Sequence, residues 1–378
     1  MMDLLCLQEK SVQCALQKFF SGALYLFRKL YYIFNEKSCY FKKKQNNYSL
    51  IDHPCFNFIS IPNFKSLTTI HQKDKAKIII KKAVEEHDII ICRLPSASGV
   101  LAFKEAKKQG KPIFVENVAC VFDALWNYDW RGKILAYYKY YKYKSIFKEA
   151  SHVLYVTDKF LQRRYPTNGK SIGCSDVVLN EYDDQILRQR LNKIEQQSSV
   201  FKLATVAGID VKYKGQDDVI KAIAQLKNKG ILINYDIIGQ GNPERLLSII
   251  NQFDVSDLVK IIGPLPHDKI FEYLKNDVDV YIQPSKQEGL PRAVIEAMSM
   301  ACPIIGSNTG GIPELLNKAF IYPKGNIKAL KNILTKIDKK TLLEQAQINF
   351  KKSKQYEKSY LENKRNNFYD EFLTDFNL

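Results

Sequence analysis

The 378-residue sequence lacks a Cys-x-x-Cys pair, a long apolar run, and enough acidic residues to balance its basic ones. Each absence narrows the function. The eight cysteines are scattered, and Cys6, Cys14, Cys55, Cys92, Cys120 and Cys302 have apolar neighbours. They read as small buried hydrophobes of a reduced compartment, not as a paired framework. No stretch reaches the ~18 apolar residues that a membrane-spanning helix needs. The nearest approach, FFSGALYLFRKLYYIF (19–34), carries Arg28 and Lys29 in its middle. Asp3, Glu9 and Lys10 interrupt the start, so no cleavable leader is expected and the expected setting is the cytoplasm. Lys and Arg exceed Asp and Glu by 57 − 40 = +17. Such an excess favours anionic partners: nucleic acid, anionic lipid or phosphorylated substrates. A compositional bias towards Lys, Asn, Ile and Tyr explains it equally well.

What is present is a globular α/β pattern. The apolar fraction of 46% fits a folded chain, and the length suits two domains. Short apolar runs alternate with helical stretches. In the first half, strands are predicted at KSCYF (37–41), FNFISIP (56–62), DIIICRLP (88–95), PIFVEN (112–117) and HVLYVT (152–157). In the second half they fall at KLATVAG (202–208), NYDIIG (234–239), VKIIG (259–263), DVYIQP (279–284), CPIIGS (302–307) and AFIYP (319–323). Most are apolar on both faces, as in a parallel sheet covered by helices. The expectation is two doubly wound α/β domains, 1–182 and 200–340, joined through the polar stretch 180–199. The tail 341–378 reads as charged helices. YYKYYKYK (137–144) could bind single-stranded nucleic acid by stacking and charge. The more ordinary reading, which we favour, is an amphipathic helix whose lysine stems cover apolar surface.

The stretch QEGLPRAVIEAM (287–298) holds two glutamates, Glu288 and Glu296. It follows a predicted strand, and Pro291 suits the first helical position. Leu290, Ala293, Val294, Ala297, Met298 and Ala301 mark one buried helix face. The free N–H groups around Gly289–Arg292 then suit a phosphate, as helix starts do in doubly wound folds. Glu296 would lie roughly 7.5 Å along the axis from Pro291, within reach of a sugar hydroxyl one ribose away. Glu288 would sit before the helix, beyond the diphosphate. An Arg292–Glu296 surface pair at i,i+4 accounts for the spacing equally well. Glycine turns recur after other strands, at Gly208, at Gly239 and in GSNTGGIPEL (306–315), and Lys212 and Lys214 flank the first of them.

EGLPRAVIEAMSMACPIIGSNTGGIPEL (288–315) resembles the retaining glycosyltransferases of family four, of the GT-B type, in their bacterial exopolysaccharide-type members. VAGIDVKYKGQDDVIKAI, IIGQGNPERLLSII and VKIIGPLPHDKIFEYLKNDVDVYIQPS are similar to that family's other blocks, in order. The likeness is strong over 202–335 and weaker over 85–180. It implies an α/β GT-B fold, two Rossmann-like domains facing a central cleft, with 341–378 crossing back to the first. It implies transfer of a hexose from a nucleotide-diphosphate sugar, without a metal or other cofactor, to a saccharide or lipid-linked acceptor. By the same likeness Glu288 and Lys214 would be catalytic and Glu296 would hold the ribose. Gly289, Leu290 and Pro291, with Gly208, Lys212 and Gly239, would line the donor site. Nucleic acid is not an expected partner. The Leu24–Phe34 aromatic helix and the basic excess would suit peripheral contact with the anionic inner face of the plasma membrane. The sequence departs from the family's pattern at Ile209, where an Arg is usual, and at Asn117–Val118, near which many members carry a His. The first strand and glycine loop also look eroded, with Ser21-Gly22 left. These departures motivate an alternative: a catalytically weak scaffold that partners another glycosyltransferase.

Overall fold

The computed structural model describes residues 30–35, 56–64, 66, 68–179, 183–196 and 202–378. The chain divides into two compact units: residues 1–122, 134–176 and 361–378 form one, and 123–133 with 177–360 form the other.

Among the described residues, the first unit carries two parallel sheets. One pairs β1 (Leu30–Asn35) with β2 (Phe56–Ile61), and the other has the order β3 (Ile90–Leu94), β4 (Ile113–Asn117), β5 (His152–Tyr155), β6 (Lys170–Gly173). β4 is buried along its whole length, as the apolar run IFV dictates for a strand covered on both faces. The last helix, Lys358–Asp375, supplies part of that cover. The Phe114 ring lies 5.5, 4.6 and 5.4 Å from those of Phe368, Tyr369 and Phe372, and the Tyr369 hydroxyl donates to Glu116 at 3.0 Å. Burial pushes the Glu116 carboxyl above its usual range, with Arg93 and Arg365 pulling the other way.

The second unit is built on a six-stranded parallel sheet of order β12 (Ile321–Tyr322), β11 (Ile304–Ser307), β10 (Val280–Gln283), β7 (Lys202–Val206), β8 (Asn234–Ile238), β9 (Val259–Gly263). The chain enters at β7, winds outward through β8 and β9, then returns to β10 on the other side of β7. The winding direction therefore reverses between β7 and β10. Both units are parallel-sheet, Rossmann-like α/β folds, and among the described residues the reversal of strand order is seen in the second.

Three differences from the sequence expectations appear, and some expectations fall outside the described residues. KSCYF, like the Ser21-Gly22 region and Cys6, Cys14 and Cys55, lies outside the described residues, while Cys92, Cys120 and Cys302 are buried thiols. The expected Leu24–Phe34 helix is wrong over its last turns, because Leu30–Asn35 is a strand in register with Phe56–Ile61. LYYIF is three aromatic residues with a β-branched Ile33 and Leu30, and such runs pair as strands when a partner is available. The stretch 180–199 is a helix over Asp184–Gln196 and not a bare linker. Arg190 on that helix is buried and donates to the carbonyls of Leu274 (2.6 Å), Met300 (3.3 Å) and Val278 and to Cys302 Sγ (3.2 Å). Finally, β6 was not expected, because KSIG has no apolar run. YYKYYKYK does lie on a helix, Trp130–Glu149.

Candidate functional site

Ligands of doubly wound sheets sit beyond the carboxyl ends of the strands where the winding reverses. In the second unit that point is β7–β10, and the loops leaving those two strands are joined together. The amide of Lys286 donates to Tyr213 O at 2.6 Å. Gly215, at φ 75°, lies so close to Pro284 that a Cβ there would come within 2.1 Å of the Pro284 carbonyl oxygen. Only glycine permits both the left-handed backbone and the approach.

Across this junction Lys214 Nζ meets Glu288 Oε1 at 2.7 Å. Lys214 closes a 3-10 turn, Lys212–Lys214, and Glu288 precedes the helix Arg292–Ser299. Burial works against the Lys214 ammonium, but the charge and hydrogen bond of Glu288 outweigh it and hold the pKa above its ordinary value. A buried chain orients the carboxylate. The Tyr281 hydroxyl donates to Gln283 Oε1 at 2.7 Å, and Gln283 Nε2 donates to Ser285 Oγ and to Glu288 Oε1, each at 2.9 Å. Tyr281, Gln283 and Ser285 were not among the sequence candidates. The only sign of them was DVYIQPS itself, with two polar side chains where an apolar strand ends.

The glycine turn after β11 presses on the same segment. Gly311 N donates to Gly289 O at 2.7 Å, and a Cβ on Gly310, at φ 58°, would stand 2.2 Å from Glu288 O. Gly289 and Leu290 are thereby held half-buried before Pro291, which is buried. Pro291 occupies the N-cap, one position earlier than expected, with extended ψ 114°. The helix that follows is more buried than its apolar stripe implied, since Ile295, Glu296 and Ser299 join Val294, Ala297 and Met298 in the interior.

Glu296 is buried and hydrogen-bonds His267 Nε2 at 3.1 Å, whereas Arg292 is exposed. The i,i+4 surface pair does not form. Neither glutamate is a surface charge. Each is an interior carboxylate with a cationic or imidazole partner from another loop, and His267, first residue of its own helix, is a further residue that sequence spacing could not supply.

The remaining candidates are spread around the same strand ends. Gly239 N donates to Gly263 O at 2.9 Å. Gly208 O accepts from Gln216 Nε2 at 3.0 Å. Ile209 is buried in the core of the unit, its amide donating to Gln240 O at 3.0 Å and its carbonyl accepting from Arg245 at 3.3 Å. An apolar residue suits that place, and no charge is presented from it. Lys212 is exposed at the start of its turn and does not join Lys214 at Glu288. In the first unit, Asn117 ends β4 fully buried, and its Oδ1 accepts from Ala119 N at 3.4 Å. Among the described residues, no group of three or more His, Cys, Asp or Glu side chains is placed to hold a metal ion.

This arrangement offers an anion one half-buried ammonium, backbone N–H groups at a helix start, and two fixed carboxylates for hydroxyls. Comparison with known proteins identifies the family and the fold. The pattern of the family Glycosyl transferases group 1 matches residues 188–354. Protein CapJ of Staphylococcus aureus is 33% identical over 316 residues, 82% of this chain and 75% of CapJ. The amylovoran biosynthesis glycosyltransferase AmsK of Erwinia amylovora is 34% identical over 146 residues, 36% of this chain and 35% of AmsK. Among solved structures, Anabaena HepE in complex with UDP and glucose superposes with TM-score 0.57 at 17% identity, covering 82% of this chain and 84% of HepE. At that identity the likeness bears on the fold alone, which is GT-B. The chain belongs to the glycosyl transferases group 1 family.

Proposed function

We propose that the protein transfers a hexose from a nucleotide-diphosphate sugar, with retention at the anomeric carbon, to a saccharide or lipid-linked acceptor in surface polysaccharide biosynthesis. The observation that carries this reading is the Lys214–Glu288 pair at the reversal of strand order, 2.7 Å apart and clasped by the Gly310–Gly311 turn. The AmsK name, which assigns that relative to amylovoran biosynthesis, supports the polysaccharide setting. HepE, solved with UDP and glucose, supports the donor class.

Bond cleavage at the anomeric carbon leaves negative charge on the departing diphosphate. Catalysis then consists mainly of stabilising that charge in a site already organised for it. In this reading Lys214 exchanges its contact with Glu288 for a phosphate oxygen, and the N–H groups of Gly289–Arg292 complete the clamp. Glu288, oriented by Gln283, accepts from a hydroxyl of the donor sugar. Glu296, oriented by His267, accepts from the ribose. No metal is assigned a role in this scheme. The site of action is the cytoplasm, at the inner face of the plasma membrane where a lipid-linked acceptor would lie.

One observation favours a second reading, a catalytically weak scaffold for another glycosyltransferase: Ile209 is locked in the core where the family's usual Arg would reach a phosphate. A panel of nucleotide sugars separates the two. The transferase reading expects at least one to raise the thermal midpoint of the purified protein and then to be consumed with an acceptor. A folded protein that no nucleotide sugar stabilises at millimolar concentration would sink it.

A further inference from the structure

The helix Trp130–Glu149 carries apolar side chains on two faces. Tyr143, Ile146 and Phe147 pack into the core of the first unit, and Ala136 is buried. The opposite stripe does not. Ile134, Tyr138 and Tyr141, spaced i, i+4, i+7, are 69%, 62% and 65% exposed, and Leu135 beside them is 47% exposed. At ~100° per residue these four side chains fall within one third of the helix circumference. Burying none of them leaves a continuous aromatic and aliphatic ridge in water, which a helix stabilised only by its inner face does not need.

Lysines run along both edges of the ridge. By the same helical arithmetic Lys144 and Lys148 lie along one edge and Lys139 along the other, while Lys142 stands between Tyr138 and Leu135. Lys142 Nζ stands 6.0 Å from the Tyr138 ring centre, so its stem lies along the ridge while its head remains at the rim. The helix carries Arg131, Lys133 and these four lysines against Glu149, 6 − 1 = +5, and Glu149 is already engaged by Lys107 at 2.8 Å. Burial, Lys142 and Lys73 together lower the pKa of Lys139, as a one-sign cluster should.

We propose that this tyrosine ridge with its two lysine borders is a docking surface for an anionic lipid bilayer, the helix lying in the plane of the interface. Tyrosines place their rings at headgroup depth with hydroxyls outward, and flanking lysines reach anionic headgroups. The occupant follows from the shape and charge of the face. A second copy would bring two faces of +5 together. Single-stranded nucleic acid needs stacking platforms along a groove, whereas Ile134 and Leu135 cannot stack and the ridge is convex. The helix is not apolar enough to cross the bilayer, and no described helix is. The inference rests on this face alone and not on the donor-site reading, so a protein that binds no nucleotide sugar could still bind vesicles.

The test is flotation of the purified full chain with vesicles of phosphatidylcholine alone and of equimolar phosphatidylcholine and phosphatidylglycerol. Binding is expected only to the anionic vesicles and should weaken as salt rises. Lys139→Gln with Lys142→Gln should weaken it about thirtyfold. Tyr138→Ser with Tyr141→Ser should weaken it about tenfold or more at unchanged charge. Tyr138 and Tyr141 are exposed and Lys139 and Lys142 are half-buried, so circular dichroism and the thermal midpoint are measured on both double variants, and both should stay at wild-type values. Equal binding to both vesicle types, wild-type binding by both double variants, or no vesicle binding at all overturns the proposal. So does a concentration-dependent dimer, or an oligonucleotide complex, that the tyrosine variant abolishes in place of vesicle binding.

Discussion

Replacing Lys214 by Met tests whether the buried ion pair is structural or is held ready for a ligand. The gross attraction between charges 2.7 Å apart is about 6 kcal/mol at an effective dielectric constant of 20. Most of it is offset by the cost of removing both ions from water. Breaking a fully buried pair costs roughly 3–5 kcal/mol. Here the Lys214 side chain is 23% exposed, and Glu288 keeps its hydrogen bond from Gln283, so Lys214→Met should cost only about 1–2 kcal/mol. A unit of this size should then lose roughly 2–8 °C in thermal midpoint. The effect on turnover should be disproportionate. If Lys214 meets the leaving diphosphate in the transition state, its loss should lower kcat by about 10²–10³-fold with little change in KM. The assay is initial-rate release of nucleoside diphosphate by Lys214→Met and, for comparison, by Lys214→Arg, which keeps the charge. Turnover within roughly threefold of wild type for a folded Lys214→Met protein would refute the reasoning, because an ammonium that neutralises a leaving group cannot be dispensed with.

The remaining expectations can be checked with the same preparations. Glu296→Ala should raise the dissociation constant for the nucleotide by about tenfold or more, measured calorimetrically, while Glu288→Ala should act mainly on kcat; equal wild-type kinetics for both would contradict the donor-site reading. His267→Ala should weaken nucleotide binding less than Glu296→Ala and add nothing to it in the double variant, since it acts through that carboxylate. Gly310→Ala should displace the Glu288 loop, for its Cβ would stand 2.2 Å from the Glu288 carbonyl oxygen, and a crystal structure or a loss of turnover would report it. Chelation by EDTA should leave turnover within roughly twofold. Arg190→Met should lower stability by about 3 kcal/mol or more, read as a fall in thermal midpoint, because carbonyls at two helix ends lose a charged donor.

The sequence made some of this legible and hid the rest for physical reasons. The strands of the second unit could be read because each is a short apolar run between turn residues, most of them buried on both faces, with β9 part-exposed at the sheet edge. β6 could not, since KSIG is half exposed at a sheet edge and carries no pattern. The two glutamates could be singled out, but not their partners. Lys214 lies 74 positions from Glu288, and His267 lies 29 from Glu296. Spacing along one helix offered only Arg292 for Glu296, which is what an isolated helix would choose. The fold supplies a better neighbour from the start of a different helix. Charge was misleading in the other direction at Arg190, where a polar stretch that looked like a linker contains a deeply buried arginine. Ile209 was legible as a departure, but only its place in the core shows why no charge comes from that position.

The position of the last helix has a consequence for how the protein comes into being. Phe114 and Glu116 belong to a strand synthesised long before its cover, Phe368 to Phe372, since Glu116 and Tyr369 lie 253 positions apart. During translation the first unit therefore waits with an aromatic surface and a buried-to-be carboxylate open to water, while every residue from 177 to 360 is already available to the second. The unit that begins first finishes second. A nascent chain stalled shortly before residue 361 would hold a complete donor-site unit beside an unfinished companion, with the exposed Phe114 edge the natural target for a chaperone.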